Sequence, residues 1–105
     1  MRRFEVLLPS QFNDGADVAE TCLHCVPETL MQVVERFGAL SLERAPIDGV
    51  WIAMGRRYDD ELLRLTIDVP DTDDNRRWMT MFKTELLDRF EQLEIYITSY
   101  PIDVL

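Results

Sequence analysis

The sequence is short of the residues on which much enzyme chemistry depends. It has one histidine, two cysteines and four glycines among 105 residues. There is no Ser-His-Asp order, no glycine loop to cradle a phosphate and no nucleotide fingerprint. A tetrahedral structural zinc needs four ligands. Two cysteines and one histidine do not reach four without a carboxylate. Positive charge is also scarce, 11 Lys and Arg against 20 Asp and Glu, for a net charge of −9. A phosphate backbone repels such a chain before contact, so a nucleic-acid partner is not expected. Anionic membrane surfaces are disfavoured for the same reason.

Long apolar runs are missing as well. No stretch approaches the ~18 apolar residues of a membrane helix. The amino end begins Met1-Arg2-Arg3-Phe4, but Glu5 interrupts the apolar run and Pro9 stops it. A secretory leader needs an unbroken run of roughly 7–15 residues. The expectation is a cytoplasmic protein without membrane attachment, cofactor or metal, with Cys22 and Cys25 as reduced thiols.

What is present is an ordinary globular composition, 47% hydrophobic and 30% charged, of single-domain length over residues 1–105. Arg3 to Leu8 alternates weakly and reads as a strand ended by Pro9. Asn13-Asp14-Gly15 is turn chemistry. Asp17 to Glu20 has the form of a capping box. A main helix is expected from about Val26, with Pro27 tolerated in its first turn. Leu30, Val33, Val34 and Phe37 repeat at three and four residues as its buried stripe. Gly38 follows as a C-terminal cap.

Leu40 to Arg44 starts a second strand. Pro46 to Gly49 interrupts it as a bulge or turn, and Val50 to Met54 resumes it. Gly55-Arg56-Arg57 reads as a hairpin loop. Tyr58 to Val69 is a third strand with the clearest period of two. Asp71, Thr72, Asp73 and Asp74 offer caps and negative charge to a second long helix. Its inner face is Met79, Phe82, Leu86 and Phe90, with Trp78 and Met81 beside it. A turn at Gln92 to Glu94 leads into a fourth strand from Glu94 to about Tyr100.

The order β-α-β-β-α-β, with right-handed crossovers, gives an α+β ferredoxin-like plait. Four antiparallel strands in the order 4-1-3-2 carry two amphipathic helices on one face.

Certain stretches carry a resemblance. They are Glu35-Arg36-Phe37-Gly38, Gly49-Val50-Trp51, Asp68-Val69-x-Asp71-Thr72-x-x-Asn75-Arg76, Arg89-Phe90-x-Gln92-x-x-Ile95 and Ser99-Tyr100-Pro101-Ile102. As a set, from Asn13 onward, they resemble a family of small uncharacterised bacterial proteins. The resemblance implies a stand-alone domain of this size with no assigned activity. The sequence departs from that family between Cys22 and Val26.

Three candidate sites follow. The first is the uncovered sheet face. If Leu63, Leu65, Ile67 and Val69 face the helices, then Leu62, Arg64, Thr66 and Asp68 face out. Ile95 and Ile97 go in, and Glu94, Tyr96, Thr98 and Tyr100 go out. Phe4, Val6 and Leu8 go in, leaving Glu5 and Leu7 outside. Tyr and Arg favour interfaces, so this face is expected to pair two copies as a homodimer or to take a partner or ligand. Trp51 is either a core anchor or the rim of a pocket. The alternative is a small enzyme at the same face, with Asp68 as base, Arg64 holding an anion and Tyr96 beside them. An adjacent arginine lowers the pKa of Asp68 and weakens it as a base. The third candidate is Cys22-Leu23-His24-Cys25, a thiol or metal site. Its bland reading is a pair of small hydrophobes on a loop or helix edge. The acidic runs Asp59-Asp60-Glu61 and Asp71-x-Asp73-Asp74 read as solvated or capping charge.

Overall fold

A computed structural model describes residues 1–105. The chain runs β1 (Arg2–Pro9), α1 (Val18–Thr21), α2 (Cys25–Phe37), β2 (Ser41–Ala53), β3 (Arg56–Val69), α3 (Asp73–Arg89) and β4 (Ile97–Pro101). The four strands form one sheet in the order β2-β3-β1-β4, and every pairing is antiparallel. This is the expected plait, with one short helix added.

Local chemistry explains most element ends. Asp17 caps α1 by accepting the Glu20 amide, and Thr72 caps α3 by accepting the Asn75 amide. Gly38 closes α2 at φ 82°, a conformation that costs a residue with a Cβ more than it costs glycine. Pro27 lies in the first turn of α2, where its missing amide costs nothing. The main helix therefore starts one residue before the expected position.

The core lies between the sheet and the helices. Phe4, Val6 and Leu8 of β1 and Leu65, Ile67 and Val69 of β3 point into it. Met79, Phe82 and Leu86 of α3 close it, with Phe90 and Ile95 just beyond the helix. Each fully buried Leu, Ile or Phe contributes roughly 1.5–3 kcal/mol of transfer free energy. The buried line of α2 is Cys25, Thr29 and Val33, while Val34 is exposed and Leu30 and Phe37 are half-buried. The expected stripe was thus rotated from the true one. Thr29 accounts for the difference. Its hydroxyl donates to the Cys25 carbonyl at 2.7 Å and accepts from Arg89 Nη1 at 2.9 Å, so a polar residue is fully buried without a loss.

Three further expectations are corrected. Cys22 and Cys25 are not free thiols but are joined in a disulfide. The end of α1 and the start of α2 hold their Cα atoms 5.5 Å apart, within bonding reach for cysteines. The hairpin loop is Met54-Gly55, both at positive φ, and Arg56 already belongs to β3. β4 begins at Ile97 rather than Glu94, although the Tyr96 carbonyl already accepts the Leu7 amide of β1 at 3.0 Å.

Candidate functional site

Cross-strand register decides what shares the uncovered face. Leu62 pairs with Pro9, Arg64 with Leu7, Thr66 with Glu5 and Asp68 with Arg3. Arg3 pairs with Tyr100 and Glu5 with Thr98. On the other edge Glu43 pairs with Arg64, Gly49 with Asp60 and Trp51 with Tyr58. Opposed residues lie on the same side of a sheet. Arg64, Asp68, Thr98, Tyr100 and Trp51 are therefore all on the face away from the core.

β2 and β3 outrun β1, whose pairing with β3 ends at Pro9 opposite Leu62. Beyond that point they continue as a two-stranded arm to Ala53 and Arg56. A register shift between Glu43 and Ile47, around Pro46, bends the strand into this arm. On the open side of the arm Trp51 stacks on Tyr58, with ring centroids 4.6 Å apart and planes 19° from parallel. The Arg56 guanidinium sits 4.9 Å from the Tyr58 centroid, extending the stack. On the other side Val50 is 60% exposed and Ile52 72% exposed, and Met54 at the tip is 91% exposed.

Where the arm leaves the sheet, a concavity of about 330 Å³ opens on the uncovered face. Leu7, Pro9 and Leu62 form its floor, Gly49 and Trp51 one wall, and Gln92, Glu94 and Tyr96 the other. Gly49 shapes the first wall. A Cβ there would meet Leu62 Cδ1 at 2.9 Å. Asp60 supplies a carboxylate at the rim and accepts from Trp51 Nε1 at 2.5 Å, which fixes the indole. Glu94 is held by Lys83 at 2.7 Å, and its carboxyl lies below the usual range, first because of that hydrogen bond. The concavity is therefore apolar at its base and anionic at its edges.

The opposite end of the same face is different. Arg3 donates to both Asp68 oxygens, at 2.8 and 2.9 Å, in the two-pronged geometry that arginine allows. This hydrogen bonding lowers the Asp68 pKa, and the Arg3 value is raised chiefly by the same bond. Tyr100 donates to Glu5 Oε1 at 3.0 Å. On the helix side of that end, Arg2 (opposite buried Val69) donates to Asp71 at 3.1 Å and to Ser99 at 3.1 Å. Asp71 also accepts from Arg76 at 2.9 Å, and these two arginines, Arg76 first, bring its carboxyl down to about 2.

The structure brings Trp51 and Tyr96 to the concavity and leaves Arg64, Asp68, Thr98 and Tyr100 outside its lining. Arg64 pairs instead with Glu43 at 3.2 Å. Arg64, Asp68 and Tyr96 thus do not converge on one pocket. Glu94, expected on the outer face, joins the lining, and Asp60, Gln92 and Pro9 join it unforeseen. Asp60 follows only from the true hairpin register. A two-residue turn at Met54-Gly55 puts it beside Gly49, next to Trp51.

The cysteine pair lies elsewhere, with His24 Nδ1 3.5 Å from Cys22 Sγ. The Cys22, His24 and Cys25 donors fall within 4.8 Å of one another, but the two sulfurs are bonded to each other and offer no thiolate to a metal.

No family model and no curated protein matches the chain. Solved structures do. A phage SAM lyase in complex with S-methyl-5'-thioadenosine superposes with a TM-score of 0.70 at 15% identity, over 94% of this chain and 79% of that one. The PII-like protein CutA from a Nostoc species gives 0.63 at 13% identity, over 98% and 82%. The periplasmic divalent cation tolerance protein CutA from Archaeoglobus fulgidus gives 0.62 at 12%, over 99% and 86%. At such identities the likeness is one of fold, the α+β ferredoxin-like plait, and none of these matches bears on the bacterial family that the sequence resembles. No helix is long and apolar enough to cross a membrane.

Proposed function

We propose that the protein is a small-ligand-binding module that uses the open face of its sheet, at the concavity between the arm and the crossing segment Gln92–Tyr96. The observation that carries this reading is the pairing of an apolar floor, Leu7, Pro9 and Leu62, with an indole fixed by Asp60 and a second carboxylate at Glu94. Ligand sites are typically concave and apolar with a few convergent polar groups. A flat body stacks on Trp51 or Tyr96, and its donors meet the two carboxylates. An adenosine thioether has this chemistry. It is flat, rich in donors and free of the negative charge that an acidic rim repels. A similarly folded protein is known with S-methyl-5'-thioadenosine bound, which makes that compound the first ligand to test.

Calorimetric titration checks this directly. S-methyl-5'-thioadenosine should bind, adenosine monophosphate should bind at least about tenfold more weakly, and Trp51→Ala should lose about tenfold in affinity, roughly 1.4 kcal/mol. Equal binding of the two compounds, or an unchanged Trp51→Ala, sinks the reading.

Self-association is a second reading, and the arm favours it. Val50, Ile52 and Met54 are exposed together on one ribbon, and such patches mark interaction sites. The centre of the sheet face, by contrast, is already paired within the chain. We therefore place the homo-oligomer contact on the arm. Solution mass should fall for Ile52→Asp and hold for Tyr96→Asp. The reverse pattern returns the contact to the sheet face as a dimer through Tyr96 and Tyr100.

A further inference from the structure

The disulfide lies away from the concavity and has an asymmetry of its own. Cys25 is the first residue of the 13-residue α2 and is only 2% exposed. Cys22 ends α1 and is half-buried. His24 stands between them, exposed, with its ring against the Cys22 sulfur. A surface depression is lined by Cys22, His24, Cys25, Asn13 and Arg89, so the pair is open to solvent from one side. We propose that Cys22–Cys25 is a thiol–disulfide exchange centre, with Cys22 as the sulfur that meets the external thiol and Cys25 as its buried partner.

The chemistry balances with a low-molecular-weight monothiol as co-reactant. Its thiolate attacks Cys22 Sγ along the sulfur–sulfur axis. A new sulfur–sulfur bond forms to Cys22, the Cys22–Cys25 bond breaks, and the electron pair leaves on Cys25. That negative charge appears at the amino end of α2, where the helix dipole favours an anion. A second monothiol attacks its own kind's sulfur in the mixed disulfide and releases Cys22. Two external thiols become one external disulfide, and two electrons and two protons pass to the protein. The reduced Cys25 thiol has an acceptor in place, the Arg89 carbonyl, 3.7 Å from its sulfur.

A purely structural staple is the poorer account. The bond closes a loop with a sequence separation of only 3, and short loops remove little entropy from the unfolded chain. Cys25 is itself part of the core with Val33 and Phe82, and a buried thiol packs there as a small hydrophobe, so the fold should survive opening of the bond.

Wild-type protein exposed to limiting glutathione, acid-quenched and peptide-mapped, should carry glutathione on Cys22 and not on Cys25. In single variants, glutathione disulfide should modify Cys22 of Cys25→Ser at least about tenfold faster than Cys25 of Cys22→Ser, since access governs exchange. Fully reduced wild type should keep its circular dichroism and reoxidise within the same preparation. Glutathione on Cys25, a bond that resists millimolar thiol, loss of fold on reduction, or stoichiometric zinc held by the reduced protein each overturns the proposal. The last outcome would identify a metal site in its place.

Discussion

The two ends of the open sheet face differ more than its two sides do. At one end Arg3, Glu5, Asp68 and Tyr100 are tied to one another within the chain. At the other, beneath the arm, Leu7, Pro9 and Leu62 line a hollow that no part of the chain fills. Both ends belong to the same strands, β1 and β3. The difference arises from where β1 stops. Opposite Arg3 a neighbouring strand exists on each side, so long polar side chains meet across short distances. Past Pro9 there is no strand to continue the sheet, and the arm and the Gln92–Tyr96 crossing stand apart as walls. A surface that satisfies itself has little to offer a ligand. A hollow with fixed polar edges does.

After Trp51→Ala, the largest effect expected from breaking this contrast is at Gly49. Gly49→Ala puts a Cβ 2.9 Å from Leu62 Cδ1, and the leucine, which lines the hollow, must shift. Ligand affinity should fall by about threefold or more, roughly 0.6 kcal/mol. Stability should change little, because the atom met is the free end of a flexible side chain, and chemical denaturation reads this. Unchanged affinity would mean that the ligand does not use that wall.

A smaller effect lies behind that end, on the helix side of the sheet, and depends on pH. The Asp71 carboxyl sits at about 2 in the folded protein, below its ordinary unfolded value of about 3.9. A lowered carboxylate stabilises the fold above its unfolded value and loses that contribution as pH falls towards the folded one. Wild type and Asp71→Asn should therefore differ most in melting temperature above about pH 4 and converge as pH falls towards 2. Parallel curves would show that the Arg2 and Arg76 contacts hold nothing together.

The smallest effect is expected at Arg3 and Asp68. Both are partly solvated, and exposed ion pairs contribute little. Replacing both by alanine should leave ligand affinity within about twofold. A larger loss would extend the site across the whole face.

Much of this contrast was legible in the sequence. The period of two in Leu63 to Val69 and the apolar alternation of Phe4, Val6 and Leu8 assign inside and outside correctly, and with them the strand order. The hollow was not legible, for a local reason. Positive φ at Met54 is rare for a residue with a side chain, and no Asn-Gly or Asp-Gly marks the turn. Placing the loop at Gly55-Arg56-Arg57 moves the hairpin register and hides Asp60 from Trp51. Ile95 misled in another way. It is buried as a strand residue would be, yet it belongs to the crossing before β4. Cys22 and Cys25 read as thiols because spacing alone does not reveal that α1 and α2 meet there.

The most direct test of the ligand site is amide chemical-shift mapping during titration with S-methyl-5'-thioadenosine. Saturable shifts confined to Leu7, Trp51, Asp60, Leu62 and Tyr96, with Arg3, Asp68 and Tyr100 unmoved, are the predicted result. Shifts centred on Arg3, Asp68 and Tyr100, or none at saturating ligand, would contradict it.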